Sequence, residues 1–169
     1  MNASEFAVRE YRPGDRDTVV QLIAEFRVAL SALRGYDRQA DVSQAESELQ
    51  EYIDNRYPIF VATTVGEAES IGYMVYRVDG DTVWAESLFV SPEFRRRGVA
   101  GMLYDTGEKF AEARGQETLY NWVHPNNDAI IAFLKKRGYD VLNLIEVRRR
   151  RPGEEAAGVI QVGDHRYAY

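Results

Sequence analysis

The stretch spanning residues 86–101, ESLFVSPEFRRRGVAG, restricts what this chain can fold into more than any other. An apolar strand pattern ends at Val90, meets the Ser91-Pro92 break, runs through three arginines and opens at Gly98 into a helical pattern. A strand that feeds a glycine-bearing turn at a helix start leaves several main-chain N–H groups without acceptors and adds the positive end of the helix dipole. Such a turn is suited to an anion, above all a phosphate or pyrophosphate. It also commits the topology: a helix from Val99 and a strand over 119–123 complete a strand–helix–strand crossover, so the two strands are expected to lie parallel and side by side.

The rest of the chain supplies elements on both sides of this unit. Residues 5–11 alternate as a strand and stop at Arg12-Pro13-Gly14-Asp15. Val19, Leu22, Ile23, Phe26, Ala29, Leu30 and Leu33 recur at helical spacing, with Gly35 as the stop. A second helix is expected over 43–55, broken by Tyr57-Pro58, followed by strands over 59–65, 71–78 and 82–90 joined by short turns as an antiparallel meander. After the crossover come a helix over 126–137 closed by Gly138, a strand over 141–147, and a short hairpin from 159–162 and 165–169.

Composition narrows the chemistry. The 169 residues are 45% hydrophobic, enough for one sizeable core. No apolar run is long enough to span a membrane and the N-terminal residues do not read as a signal peptide, so a cytoplasmic location is expected. With no cysteine and only His124 and His165, neither a thiolate site nor a histidine-rich metal centre is available, and no metal is expected. The net charge of −6 disfavours nucleic acid as a partner and suits a cationic substrate.

Arg95, Gly98 and Ala100, preceded by Leu88-x-Val90-x-Pro92, resemble the Arg/Gln-x-x-Gly-x-Gly/Ala motif of the GNAT superfamily of N-acetyltransferases. Asn127 through Phe133 to Gly138-Tyr139 is similar to a second segment of that family, N-x-x-A-x-x-F-Y-x-K-x-G-F. The resemblance covers roughly Trp84 to Tyr139. It implies an α/β (α+β) GNAT fold, a mixed central sheet of about six to seven strands flanked by four helices. One domain is expected over 1–169, with 159–169 a C-terminal strand or hairpin. It implies acetyl-CoA as cosubstrate and direct acetyl transfer to a primary amine, carried by a small molecule or by a peptide or protein. By position, the main chains of Leu88 and Val90 would hold the pantetheine arm, while Arg95 sits at the Arg/Gln position. The N–H groups of Arg96, Arg97, Gly98, Val99, Ala100 and Gly101 would hold the pyrophosphate. Asn127 matches a cofactor-contacting asparagine, although Asn is equally a preferred helix N-cap.

Glu86, the one carboxylate in the strand WAESLFV, lies where many family members place a general base. An alkylamine with a pKa near 10.4 must lose a proton at a cost of roughly 4 kcal/mol at neutral pH, and an ordinary carboxylate takes that proton poorly by direct contact. A water relay is therefore expected. His124, in the loop before the fourth helix, and Tyr36, after the first, are the candidate acceptor contacts. The pattern departs from the family at Leu134, where a tyrosine often protonates the leaving thiolate and leucine cannot. Tyr139, Tyr120 and Tyr104 are the alternatives, and Leu134 keeps open a second reading, a CoA-binding sensor or interaction module without turnover. The segment from Val159 is expected to pair with a sheet edge, a homodimer being one way to do so.

Overall fold

The computed structural model describes residues 5–66, 69–156 and 158–168. The chain divides into two compact units, residues 1–131 and 132–169. The first contains β1 (Phe6–Glu10), α1 (Arg16–Ala32), α2 (Val42–Asp54), β2 (Ile59–Thr64), β3 (Ser70–Asp79), β4 (Thr82–Val90), α3 (Val99–Glu112) and β5 (Tyr120–Asn121), and α4 (Asp128–Lys136) begins in it. The strands form one sheet in the order β1-β2-β3-β4-β5, antiparallel through β4 and parallel between β4 and β5.

Alternation along β3 decides which helix covers which face. Tyr73 and Val75 join Val19, Ile23, Leu49, Tyr52, Val61 and Phe89 in the core beneath α1 and α2. Tyr76, pointing the opposite way, stacks on Phe110 at 5.9 Å and donates its hydroxyl proton to the Leu103 carbonyl of α3 at 2.5 Å. A Cβ on Gly107 would collide with the Tyr76 ring, so glycine is what lets α3 approach the sheet this closely. Each fully buried aliphatic or aromatic side chain in these layers contributes roughly 1.5–3 kcal/mol. Polar ties fix the helices: Asp41 caps α2 by accepting from the Gln44 N–H at 2.9 Å, and Arg27 of α1 grips Glu48 of α2 through two nitrogens. Before α1, Asp15 accepts two bonds from Arg9 at 2.7 Å, which hold its carboxyl below the usual carboxylate range against the opposing effect of burial.

In the second unit α4 ends in a Schellman turn. Gly138, at φ +87°, follows Arg137, and the Tyr139 N–H returns to the Leu134 carbonyl at 3.1 Å. The expected hairpin is present as β6 (Val159–Val162) and β7 (His165–Ala168), antiparallel around Gly163-Asp164; Tyr169 lies outside the described residues. No helix among the described residues is long and apolar enough to cross a membrane.

Two expected strands are corrected. The strand over 119–123 shrinks to Tyr120–Asn121, because only Trp84 and Ala85 of β4 pair with it. The stretch 141–147 is irregular, with Val141, Leu142, Leu144, Ile145 and Val147 exposed. Its sequence is apolar in both phases and so selects no single buried face, and among the described residues of this unit it pairs with neither β6 nor β7.

Candidate active site

The centre of the site is one edge of β4. The Ser91 N–H donates to the Ile71 carbonyl at 2.9 Å, which sets the phase of the antiparallel ladder with β3. Leu88 and Val90, opposite Met74 and Gly72, therefore turn their N–H and C=O groups toward the other edge. β5 covers that edge only at Trp84 and Ala85, so among the described residues no strand lies beside 86–90 there. A bulge contributes to the divergence: Val75 faces Ser87 and Tyr76 faces Ala85, which leaves Glu86 as an extra residue without a partner in the ladder. Bulges bend a strand and increase its twist. At the far end the Arg95 Nε–H donates to the Val90 carbonyl at 2.8 Å, with the guanidinium over the Phe89 ring.

The turn leaving β4 exposes main-chain N–H groups at the start of α3. A 3-10 turn, Pro92–Phe94, is followed by two left-handed residues, Arg96 at φ +61° and Gly98 at φ +90°. The first bond of α3 runs from the Met102 N–H to the Gly98 carbonyl at 3.1 Å. None of the six N–H groups from Arg96 to Gly101 has a protein acceptor among the described residues. Six free donors at a helix N-terminus, with open space where a Gly98 Cβ would lie, form a cradle for a phosphate or pyrophosphate.

The three arginines separate in role. Arg95 is engaged with Val90, Arg97 pairs with Glu5 and lies over the Phe6 and Phe94 rings, and Arg96 is exposed without a side-chain partner among the described residues. Of the three, Arg96 is the one whose side chain has no hydrogen bond or ring contact among the described residues.

At the other end of β4, Glu86 meets a cluster whose other members sequence reading missed. Its Oε2 accepts from the Arg77 Nε–H at 2.8 Å, and Arg77 also reaches Asp79 at 3.3 Å. The guanidinium lies 5.3 Å from the Trp84 ring centre and 5.5 Å from that of Trp122, while the two indoles stand 5.1 Å apart. The bond to Glu86 holds the Arg77 pKa above its ordinary value. The signal available in the sequence was the i, i+2 spacing of Trp84 and Glu86; their approach to Arg77 depends on the β3–β4 register and could not be read.

Asn126 ties the loop before α4 to the end of α1. The Asn126 side-chain amide donates to the Leu33 carbonyl at 2.9 Å, and the His124 Nδ1 accepts from the Asn126 N–H at 3.2 Å. Burial, with Arg34 adding to it, lowers the His124 pKa and favours the neutral ring. Asn127 accepts from the Ile130 N–H at 3.3 Å and so caps α4. Tyr36, three residues beyond Leu33, is exposed. Leu134 is buried, the Tyr104 hydroxyl is spent on Asn121 Oδ1 at 2.6 Å, and Tyr120 packs on Trp84. A buried pair under β4, the hydroxyls of Tyr73 and Ser87 at 2.8 Å, was also not foreseen; burial pushes the Tyr73 pKa up.

The chain belongs to the acetyltransferase (GNAT) family, whose model matches residues 23–139. It is 26% identical over 126 residues to acetyltransferase ECA0875 of Pectobacterium atrosepticum, covering 75% of this chain and 89% of that one. Among solved structures it is similar to the aminoglycoside N-acetyltransferase AAC(6')-Iy in complex with CoA, with a TM-score of 0.67, 17% identity, and 89% and 97% of the two chains covered. It is likewise similar to the ribosomal-protein-S18-alanine N-acetyltransferase of Escherichia coli, with a TM-score of 0.61, 19% identity, and 79% and 76% covered. The expected GNAT fold is thus observed, its seven described strands divided between a five-stranded sheet and a two-stranded hairpin.

Proposed function

We propose that this protein is an acetyl-CoA-dependent N-acetyltransferase that acts on a primary amine by direct attack. The observation that carries the reading is the continuity of two features: the β4 edge, unpaired among the described residues, where Leu88 presents its N–H and C=O and Val90 its N–H, runs into six free N–H groups at the start of α3. A pantetheine arm fits the first as an added strand, and a pyrophosphate fits the second. When bound, acetyl-CoA supplies an activated acetyl thioester.

The chain's residues then divide the work. The N–H groups of residues 96–101 and the Arg96 guanidinium hold the phosphates, and the Leu88 and Val90 main chains align the arm. Glu86, at the bulge, receives the amine proton through water; its Oε2 is engaged by Arg77, while Oε1 has no protein partner among the described residues. Removing that proton at neutral pH costs roughly 4 kcal/mol for an alkylamine, which a relay and partial desolvation of the amine must offset. His124 and Tyr36, in the two segments that the Asn126–Leu33 bond ties together, are the acceptor contacts. Solved structures named for an aminoglycoside and for a ribosomal-protein alanine support an amine acceptor in general terms.

Leu134 favours a second reading, a CoA-binding module, because the position that carries a tyrosine acid in the resembled motif holds a buried leucine. Loss of a general acid costs about 10²- to 10⁴-fold in rate, which slows a thioester reaction without abolishing it. Free-thiol release from acetyl-CoA across a panel of amines separates the two. Turnover on one acceptor class, reduced in Glu86→Gln, supports the enzyme; acetyl-CoA binding with no turnover on any amine supports the module.

A further inference from the structure

We propose that the seat formed by Trp84, Trp122 and Glu86, filled here by the Arg77 guanidinium, is the acceptor's cation subsite and that its ligand is a linear aliphatic polyamine. This rests on the acetyltransferase reading for its catalytic meaning, but the binding event stands apart from turnover. Arg77 shows what the seat accepts. It is a cation at the tip of an unbranched methylene chain, held by one carboxylate oxygen and lying against two indole faces, each about as far from the cation as the rings are from each other. An ammonium on an alkyl chain presents the same charge and the same slim stem. A branched, hydroxylated sugar amine does not.

Arg77 can leave the seat without being stranded. Its second carboxylate, Asp79, is 73% exposed and already 3.3 Å away, so the guanidinium can keep one ion pair while giving up Glu86 and the two rings. The seat is also open from outside, since Trp122 is 72% exposed. Arg77 thus acts as a self-ligand that lowers the apparent affinity of the seat for every cation, a loss best offset by a cation with a second anchoring point.

The spacing favours more than one amine. From Glu86 to Leu88 the strand rises roughly 7 Å, the reach of one aminoalkyl segment, a distance at which a second amine still meets Glu86 Oε1 through water. One ammonium held at Glu86 Oε2 leaves another amine of the same molecule along the edge where the acetyl thioester is expected. Charge supports a polycation too: residues 1–131 hold 13 Lys and Arg against 22 Asp and Glu, which attracts cations from solution.

The chain has only two tryptophans, Trp84 and Trp122, so its intrinsic tryptophan fluorescence reports on this seat alone. The test is a fluorescence titration of the full chain with spermidine in the absence of acetyl-CoA, beside an uncharged diol of matching length and a short lysine-containing peptide. The expected result is a saturable change with spermidine and none with the diol. Binding should tighten roughly threefold to tenfold in Arg77→Ala, the worth of one part-exposed ion pair and cation–π contact, and weaken in Glu86→Gln and Trp122→Ala. Arg77→Gln repeats the first comparison if the alanine variant unfolds, judged by circular dichroism.

A flat titration in both wild type and Arg77 variants, an equal response to the diol, or weaker binding after Arg77 is removed would overturn the subsite. Binding of the peptide but not of spermidine would overturn the ligand class. Spermidine binding without thiol release from acetyl-CoA would uphold the seat and count against the catalytic reading, so the two fail separately.

Discussion

In the proposed reading the two ends of β4 recognise their partners by different means. At the Val90 end the recognition is main chain: two strand residues turned to an open edge and six N–H groups at a helix start. Side chains there serve the backbone, as when Arg95 holds the Val90 carbonyl and Arg97 is anchored to Glu5. At the Glu86 end the recognition is side chain, through a carboxylate, an arginine and two indoles gathered from β3, β4 and the residue after β5. A shared cosubstrate needs only a fixed backbone shape, which many side-chain sets can produce. An acceptor is chosen by side chains, and these are free to differ between relatives on the same frame.

This contrast can be broken at its common support. Both ends hang on the packing of α3 against β3, so Gly107→Val, which drives a Cβ into Tyr76, should lower unfolding stability by about 3 kcal/mol and weaken both functions together. Urea unfolding measures the first and ligand titration the second. An unchanged unfolding midpoint would show that α3 is not held as described.

The next variants pull the ends apart. Glu86→Gln should reduce kcat about 10²-fold while the acetyl-CoA Kd stays the same. Gly98→Ala should do the reverse, because a left-handed residue at φ +90° costs an alanine roughly 1–2 kcal/mol. Its acetyl-CoA Kd should rise about tenfold with little change in kcat, as read by calorimetry and saturation kinetics. If Glu86→Gln instead weakened acetyl-CoA, the division between the two ends would be lost.

The smallest effect is a pH dependence at the His124 loop. Burial lowers the folded pKa of His124, so protonation favours the unfolded chain. Its contribution to stability is complete above about pH 6.5 and is lost as the pH falls through the folded value. The Tm of wild type should therefore drop more than that of His124→Gln between pH 7.5 and 5, and the two should run parallel at higher pH. A wild type that gained stability on acidification relative to the variant would reverse the sign.

Much of the cofactor end was legible from residues alone. The Ser91-Pro92 break and Gly98 mark where a strand must give way to a helix, and free N–H groups follow from helix geometry whatever the neighbours are. Asn127 could be read as an N-cap, a role the Ile130 N–H bond displays. The arginines could not be sorted, since which of them reaches Phe6 or Val90 depends on elements distant in sequence. The acceptor end was less legible for the same reason: Glu86 could be named, but Arg77 and Trp122 belong to other strands and loops. The stretch 141–147 shows the opposite failure, β-rich in composition yet lacking a partner within its unit.

The sequence by itself therefore determined the crossover, the glycine-bearing turn before α3 and the antiparallel meander, because each follows from local backbone preference and from the period of apolar residues. Tertiary structure alone decided the bulge at Glu86, the open edge from 86 to 90, the distribution of the arginines and the indole seat around Arg77. Those depend on register and on side chains meeting across strands, which are set by packing over the whole sheet and leave no trace in any one segment.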